Sequence, residues 1–396
     1  MGADMDQVID HDNLSKVEQF QLLTETGSGT PMGTLLRKFW HPVAVSEKLQ
    51  KGKVQALRVL GEDLTLYRGE GGRPYLIGGR CAHRCTVLHT GVIQGEQIRC
   101  MYHGWRYDGT GLCTDIPAEQ QPRTRSIKIA GYPVHEYCGV VFAYLGEQPV
   151  PTFDLPRKHI LEEKGRSTLV HKSVWDCNWF QHVENSLDAV HVSFAHLWGS
   201  VGEFGSSVTA SIPDLSYSET NAGIRQVATR PNNNVRVSDW TFPNNNHVVA
   251  PGLRKGDPWV HVSAWPTPID DTSTIRFVII SLETDDPAQL ERIKAQYDLD
   301  YNPMDHYDEL FQQGLVVGVN EFGLQNAQDY VAVRGQGVIC DRTQENLSTS
   351  DAGVAFLRRI FLRELEAIRL GRPTKQWSRI EHAEHLAAPP PVQAAE

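Results

Sequence analysis

Two Cys-His pairs stand close together in the first third of the chain, within "CAHRCTVLHTGVIQGEQIRCMYHGW". Cys81 and His83 are two apart, Cys100 and His103 are three apart, and sixteen residues lie between the pairs. Thiolate and neutral imidazole are both metal ligands. Three readings compete: a Cys₂His₂ zinc site, ordinary core cysteines with satisfied histidines, and a [2Fe–2S] cluster held by two Cys on one iron and two His on the other. The order decides among them. Zinc sites often use like-residue pairs, whereas each pair here is mixed. A cluster clamped from two sides needs each loop to offer one thiolate and one imidazole. Replacing thiolate by neutral imidazole makes the ligand set less negative and raises the reduction potential relative to a four-Cys cluster.

The longer stretch "CAHRCTVLHTGVIQGEQIRCMYHGWRYDGTGLC" resembles the N-terminal domain of the Rieske non-heme iron oxygenases, the alpha subunits of ring-hydroxylating oxygenases. The match includes Arg84 after the first His and the H-G-W-x-Y-D-x-x-G run from His103. Met101 stands where the family often has Pro, which leaves the four ligands untouched. Trp105 is expected either beside the cluster or as plain core. Respiratory Rieske proteins carry an extra Cys in each loop, joined as a disulfide. Here Cys85 has no counterpart in the second loop, so it is expected to be a spare buried thiol.

A cluster alone does not activate O₂ on carbon. The resemblance therefore implies a second site, a mononuclear Fe(II) on two His and one carboxylate with open positions. "NWFQHVENSLDAVHVSFAH" (178–196) resembles the family's N-W…E-N-x-x-D-x-x-H-x4-H signature, with His191 and His196 as ligands and Asn185 and Asp188 as catalytic residues. Asp188 is three residues before His191, one turn back if the stretch is helical, where it can accept a hydrogen bond from the far nitrogen of a ligating His. His182 fits no ligand place. The third ligand should be a late carboxylate. "LQNAQDYVAVRGQGVICDRTQENLSTSD" resembles the matching segment of the alpha-only branch, which includes phthalate-type dioxygenases and aryl-ether O-demethylases. Asp329 sits at the ligand position there, with Asp341 and Asp305 as alternatives. His382 and His385, in "EHAEH", look like a metal motif but flank a proline-rich end.

These sites need elements to position them. Forty percent hydrophobic and 22% charged residues in 396 are enough for two or three domains with real cores. Residues 17–39 read as short helical pieces broken by Gly and Pro. From Trp40 to about 148, short β-rich runs alternate with Gly turns. The three prolines of "EQPVPTFDLPR" mark a boundary. Beyond it come a helix over 178–196, strands in "RVSDWTFP", "WVHVSAWP" and "TIRFVIISLET", and a late helix from "STSDAGVAFLRRIFLRELEAIRLGRP", capped by Ser350 or Asp351 and ended by Gly371 and Pro373. With the resemblance, this implies an α+β fold. Residues 1–39 form a helical segment packed on the catalytic domain, 40–152 a Rieske [2Fe–2S] domain, 153–385 a catalytic domain with helices on an antiparallel sheet (helix-grip, START-like), and 386–396 a disordered tail.

A net charge of −10 argues against nucleic acid or an anionic membrane as the main partner. The start "MGADMDQVIDHDNLS" has no apolar core for a signal peptide and Asp6 where myristoylation wants Ser or Thr. The apolar run at 137–146 is too short to span a bilayer. Seven cysteines without regular spacing fit reduced thiols, and a cytoplasmic protein is expected. The resemblance implies a terminal oxygenase that oxidises an aromatic substrate with O₂. Ring hydroxylation or dihydroxylation is expected first, oxidative O- or N-demethylation second. Electrons come from NAD(P)H and flavin through a separate reductase, with or without a ferredoxin. It further implies a homotrimer or an alpha3alpha3 hexamer, in which Asp188 bridges His103 of one chain to His191 of the next. Arg254 or Lys255 could pair with a substrate carboxylate. An electron carrier using the Rieske domain alone would leave about 240 C-terminal residues without a role, and a zinc-binding interaction module would be colourless.

Overall fold

The computed structural model describes residues 14–121, 123–197, 209, 211–231, 235–252, 257–284, 286–312 and 321–379. Two short helices open it, α1 (Lys16–Thr24) and α2 (Pro31–Leu36). Ser15 and Glu18 form a capping box on α1, and Thr30 with Pro31 starts α2.

Three small antiparallel sheets follow. β1 (Trp40–Val45) pairs with β11 (Val140–Tyr144), and β11 with β10 (Val134–Tyr137). β2 (Val54–Val59), β3 (Glu62–Arg68), β4 (Pro74–Gly78) and β9 (Gly131–Tyr132) make the second sheet. The third holds β5 (Val92–Gln94), β6 (Gln97–Arg99), β7 (Arg106–Tyr107) and β8 (Cys113–Asp115). Their cores are separate. Tyr67, Ile77, Leu88, Ile98 and Tyr107 pack around Cys81 and Cys100, while Leu64, Leu66 and Leu76 join the main core.

The remainder is one seven-stranded antiparallel sheet with helices on one face, so the fold is α+β. Its order is β12 (Arg166–Trp175), β18 (Ser273–Glu283), β17 (Val260–Asp270), β16 (Asn245–Ala250), β15 (Val235–Thr241), β14 (Gly223–Thr229), β13 (Asp214–Glu219). The three strands read from the sequence lie in it as β15, β17 and β18. β12, β13, β14 and β16 were not anticipated. On the helix side lie α3 (Trp179–Asn185), α4 (Pro287–Lys294), α5 (Tyr307–Gln312), α6 (Glu321–Arg334) and α7 (Ala352–Arg369). Trp179, Phe180, Trp240, Phe242 and Phe361 interlock at its centre, with Leu23, Leu35 and Leu36 of α1 and α2 in the same core. The other face of the sheet packs Trp265, Phe277 and Ile279 against Trp40, Val140 and Phe142 of the β1–β11 sheet. The β2–β3 turn also hydrogen-bonds to that sheet, from Leu60 and Gly61 N–H to the carbonyls of Pro268 and Ile269.

Two expectations need correction. The helix read over 178–196 ends at Asn185. After it, Asp188 turns its carboxylate onto the N–H groups of Val190 and His191, and only a short 3₁₀ turn, His191–Ser193, follows. A run of Asn, Ser and Asp offers the backbone side-chain partners that compete with helix. Asp351 is the N-cap of α7, but its side chain makes no capping bond to that helix and instead closes a capping box with Ser348 around the preceding 3₁₀ turn. Gly371, with φ +63, closes that helix as expected.

Candidate functional site

The Cys-His loops hang from the small sheets. Cys81 follows β4 and Cys100 follows β6, so two hairpin ends face each other. Cys81 and Cys100 are 2% and 3% exposed, whereas His83 is exposed and His103 half-buried. The sulfurs therefore point inward and the imidazoles outward. The two rings lie 4.4 Å apart, edge to face, and Trp105 stacks on His83 at 4.7 Å. Trp105 thus sits beside the two imidazoles. The turn of the second loop is made by Gly104, with φ +75 and Pro117 2.9 Å from where a Cβ would sit. Tyr107 Oη accepts from the Ala82 N–H at 3.0 Å and lies 3.2 Å from Cys81 Sγ, so its proton is free to point at a thiolate. Burial pushes the Cys81 thiol up. Cys85 departs from expectation: it is exposed, not buried, with φ +59 in the tight first loop. No disulfide forms among the described residues.

The second site forms where the 186–197 segment meets α6. His191 Nε2 and His196 Nε2 approach the same atom, Asp329 Oδ1, at 3.3 and 3.2 Å. All three candidate ligand atoms lie within 4.8 Å of one another. Among the described residues, no other group of three or more His, Cys, Asp or Glu side chains brings its ligand atoms this close. Burial would raise the Asp329 carboxyl, but His196 and His191 beside it hold it well below the usual carboxylate range. Burial would lower His196, and Asp329 outweighs this and raises it. Two imidazole nitrogens and one carboxylate drawn together suit iron(II). Asn185 donates to Asp329 Oδ1 at 3.5 Å. Asp188 Oδ2 stops 3.9 Å from His191 Nδ1, too far for the expected hydrogen bond, and that nitrogen is buried without a partner.

Asp341 and Asp305, the alternatives for the third ligand, do not join this group. Asp341 is exposed and caps the turn at Thr343, and Asp305 is exposed in a short 3₁₀ turn. His182 is buried against the Trp175 ring. Arg254, Lys255, His382, His385 and the tail lie outside the described residues. Sequence reasoning missed Gln328, whose Oε1 lies 2.9 Å from His196 Nδ1. It also missed the scaffold behind α3. Arg342 and Arg358 both bind the buried Glu184 at 2.6 Å, and Gln181 ties α3 to the end of α6 through Val333 and Gly337.

Residues 39–137 match the Rieske [2Fe-2S] domain family. The whole chain is similar to the 5,5'-dehydrodivanillate O-demethylase oxygenase subunit of Sphingobium sp. (strain NBRC 103272 / SYK-6). The two are 32% identical, over 90% of this chain and 82% of that one. It is 30% identical to the phenoxybenzoate dioxygenase subunit alpha of Ectopseudomonas oleovorans, over 88% of this chain and 85% of the relative. Its fold matches the terminal oxygenase of carbazole 1,9a-dioxygenase from Nocardioides aromaticivorans IC177, with a TM-score of 0.65, 18% identity, and coverage of 91% and 98%. The chain belongs to the Rieske non-heme iron oxygenases. Within that family it is a terminal oxygenase, the subunit that carries a Rieske [2Fe–2S] cluster and a mononuclear iron and takes its electrons from a reductase. No helix among the described residues is long and apolar enough to cross a membrane.

Proposed function

We propose that the chain oxidises an aromatic small molecule with O₂, with His191, His196 and Asp329 holding the iron and Cys81, His83, Cys100 and His103 holding the cluster. The observation that carries this is the convergence of the two histidines on Asp329 Oδ1 in a chain with a Rieske domain. Bound in these places, the two groups supply one-electron transfer and O₂ activation. The protein's own residues do the rest. Asn185 steadies the Asp329 carboxylate. Gln328 holds His196 with Nδ1 protonated, leaving Nε2 as the donor. Asp188, one-third exposed and facing the unpartnered His191 Nδ1, is the connecting residue toward His103 of a neighbouring chain in a homotrimer or alpha3alpha3 hexamer.

Dehydrodivanillate and phenoxybenzoate are aromatic, which supports an aromatic substrate. Ring hydroxylation is the first reading, and oxidative demethylation is favoured by the O-demethylase relative. The cytoplasm is the expected location. The deciding experiment supplies a reductase and a panel of aryl ethers and arenes, then scores O₂-dependent product: formaldehyde marks demethylation, a cis-diol marks dihydroxylation. The metal-loaded chain should contain three irons, and two would indicate an electron carrier. Asp188→Asn should retain all three irons yet lose O₂-coupled reoxidation of the reduced cluster. Normal reoxidation in that variant would remove the connecting role.

A further inference from the structure

The face of the seven-stranded sheet that carries the helices is also the floor beneath the His191–His196 segment. Trp240 of β15 packs on Phe361 of α7, so even-numbered positions of β15 point to that side. Arg236 is therefore on the floor, opposite Ala228 in register. Gln226 and Ser238, the next pair along, lie on the same face, and Gln226 donates to the Leu187 carbonyl between α3 and His191. Arg230, just past the end of β14, continues the row and is 3% exposed. Ser193, between the two histidines, donates to the Ser211 carbonyl, three residues before Asp214, which pairs with Thr229 next to Arg230.

Several other buried or half-buried guanidinium groups are ion-paired. Arg342 and Arg358 share Glu184, Arg225 holds Asp239, and Arg68 holds Glu136. Arg236 and Arg230 have no carboxylate within ion-pair distance among the described residues, and Arg236 Nε and Arg230 Nε and Nη1 are buried without hydrogen-bond partners. Burial and the neighbouring Arg230 pull Arg236 down to about 10, which leaves it cationic at neutral pH. Two adjacent cations in a desolvated floor are costly unless an anion joins them. A guanidinium fork is shaped for two-point binding of a carboxylate.

We infer that Arg236, backed by Arg230, anchors a carboxylate of the substrate, so that the molecule held over the iron is an aromatic acid rather than a neutral arene. This rests on the oxygenase reading of the site and narrows its substrate class. Arg254 and Lys255, the candidates suggested by sequence for the same task, lie outside the described residues. Arg276, another half-buried arginine on this face, also has an unpartnered Nε, but its Nη1 is already held by Asn326 at 3.2 Å.

The test is calorimetric titration of the metal-loaded oxygenase with 3-methoxybenzoate, 3-phenoxybenzoate and phthalate, each beside its amide. At least one acid should bind about 10- to 100-fold tighter than its amide, the range expected of a charge-assisted fork. Arg236→Gln should erase that preference by weakening the acid, with far less change in the amide. Should this variant lose the cluster absorption and so fail to fold, Arg236→Lys replaces it: acid binding should fall several-fold with the charge retained. No acid outbinding its amide, or a preference that survives the substitution, overturns the anchor. A separate turnover arm distinguishes the two levels. Absence of any O₂-dependent product would strike the oxygenase reading, whereas products from neutral and acidic rings alike would strike only the anchor.

Discussion

Gln328 sets the direction in which His196 can act. Its carbonyl oxygen accepts a hydrogen bond from Nδ1–H, so the lone pair is left on Nε2, beside Asp329. Gln328→Leu should lower iron affinity by about 10- to 100-fold, read by iron titration of the stripped protein, while Gln328→Glu, which keeps the acceptor, should recover most of it. At the other site, the Tyr107 hydroxyl is aimed at Cys81 sulfur, and a hydrogen bond to thiolate favours the reduced cluster. Tyr107→Phe should lower the cluster midpoint potential by on the order of 40 mV, the one-electron equivalent of about 1 kcal/mol. The two Cys-His pairs stand out by residue type and spacing, whereas His191, His196 and Asp329 come from the family resemblance. Gln328 and Arg236 were legible in neither way, because a second partner of a ligand or a cation under a pocket becomes visible only when strands distant in sequence are brought together. The spacing of five between His191 and His196 did hold a clue. On an α-helix it would separate the rings by about 140°, so a regular helix could not have presented both to one ion.

At the scale of elements, α3 is the base on which the iron site is hung, and its anchoring is ionic. Glu184 is buried between Arg342 and Arg358, and Arg358 also reaches Glu345. This ties α3 to α7 and to the turn after α6, while Asn178 caps α3 and holds the carbonyls of Thr24 and Asp271. Arg342 is fully enclosed and lies over the Phe180 ring. Arg342→Met should therefore cost about 3–5 kcal/mol, seen as a lower urea midpoint, since it leaves part of the Glu184 charge without one of its two partners. Replacing Glu184 as well should recover part of the loss if the penalty comes from that stranded charge. The sequence marked strong elements well: α7, with its apolar spacing and terminal Gly371, and strands rich in Val and Ile such as β18. It misjudged the stretch after Asn185, where no Gly or Pro announces the break and Asp188 turns the chain by capping it. Strands such as β12, "RSTLVHKSVW", mix charges into their alternation because one residue in two meets solvent or a polar partner.

For the whole molecule, buried histidines link stability to acidity. Burial pulls His41 and His171 down to about 4, with the Leu36 and Tyr301 carbonyls as their partners. Both folded values lie below the ordinary 6.5, so the unfolded chain takes up protons first as the pH drops. Their stabilising effect is complete above about 6.5 and is lost progressively toward 4, at up to about 1.4 kcal/mol per pH unit for each histidine. Urea midpoints measured between pH 7 and 5 should fall accordingly, and the double variant His41→Gln, His171→Gln should flatten that slope. The broad division into a small-sheet front and a helix-covered sheet behind was legible from the switch in texture near residue 150. The way the two are joined was not. Trp265, Phe277 and Ile279 mesh with Trp40, Val140 and Phe142 across the back of the large sheet. Gene chimeras that swap the front half between relatives at the proline-rich junction would thus pair two aromatic surfaces that never fitted each other. Such hybrids should accumulate as inclusion bodies unless both sides of that seam are exchanged together.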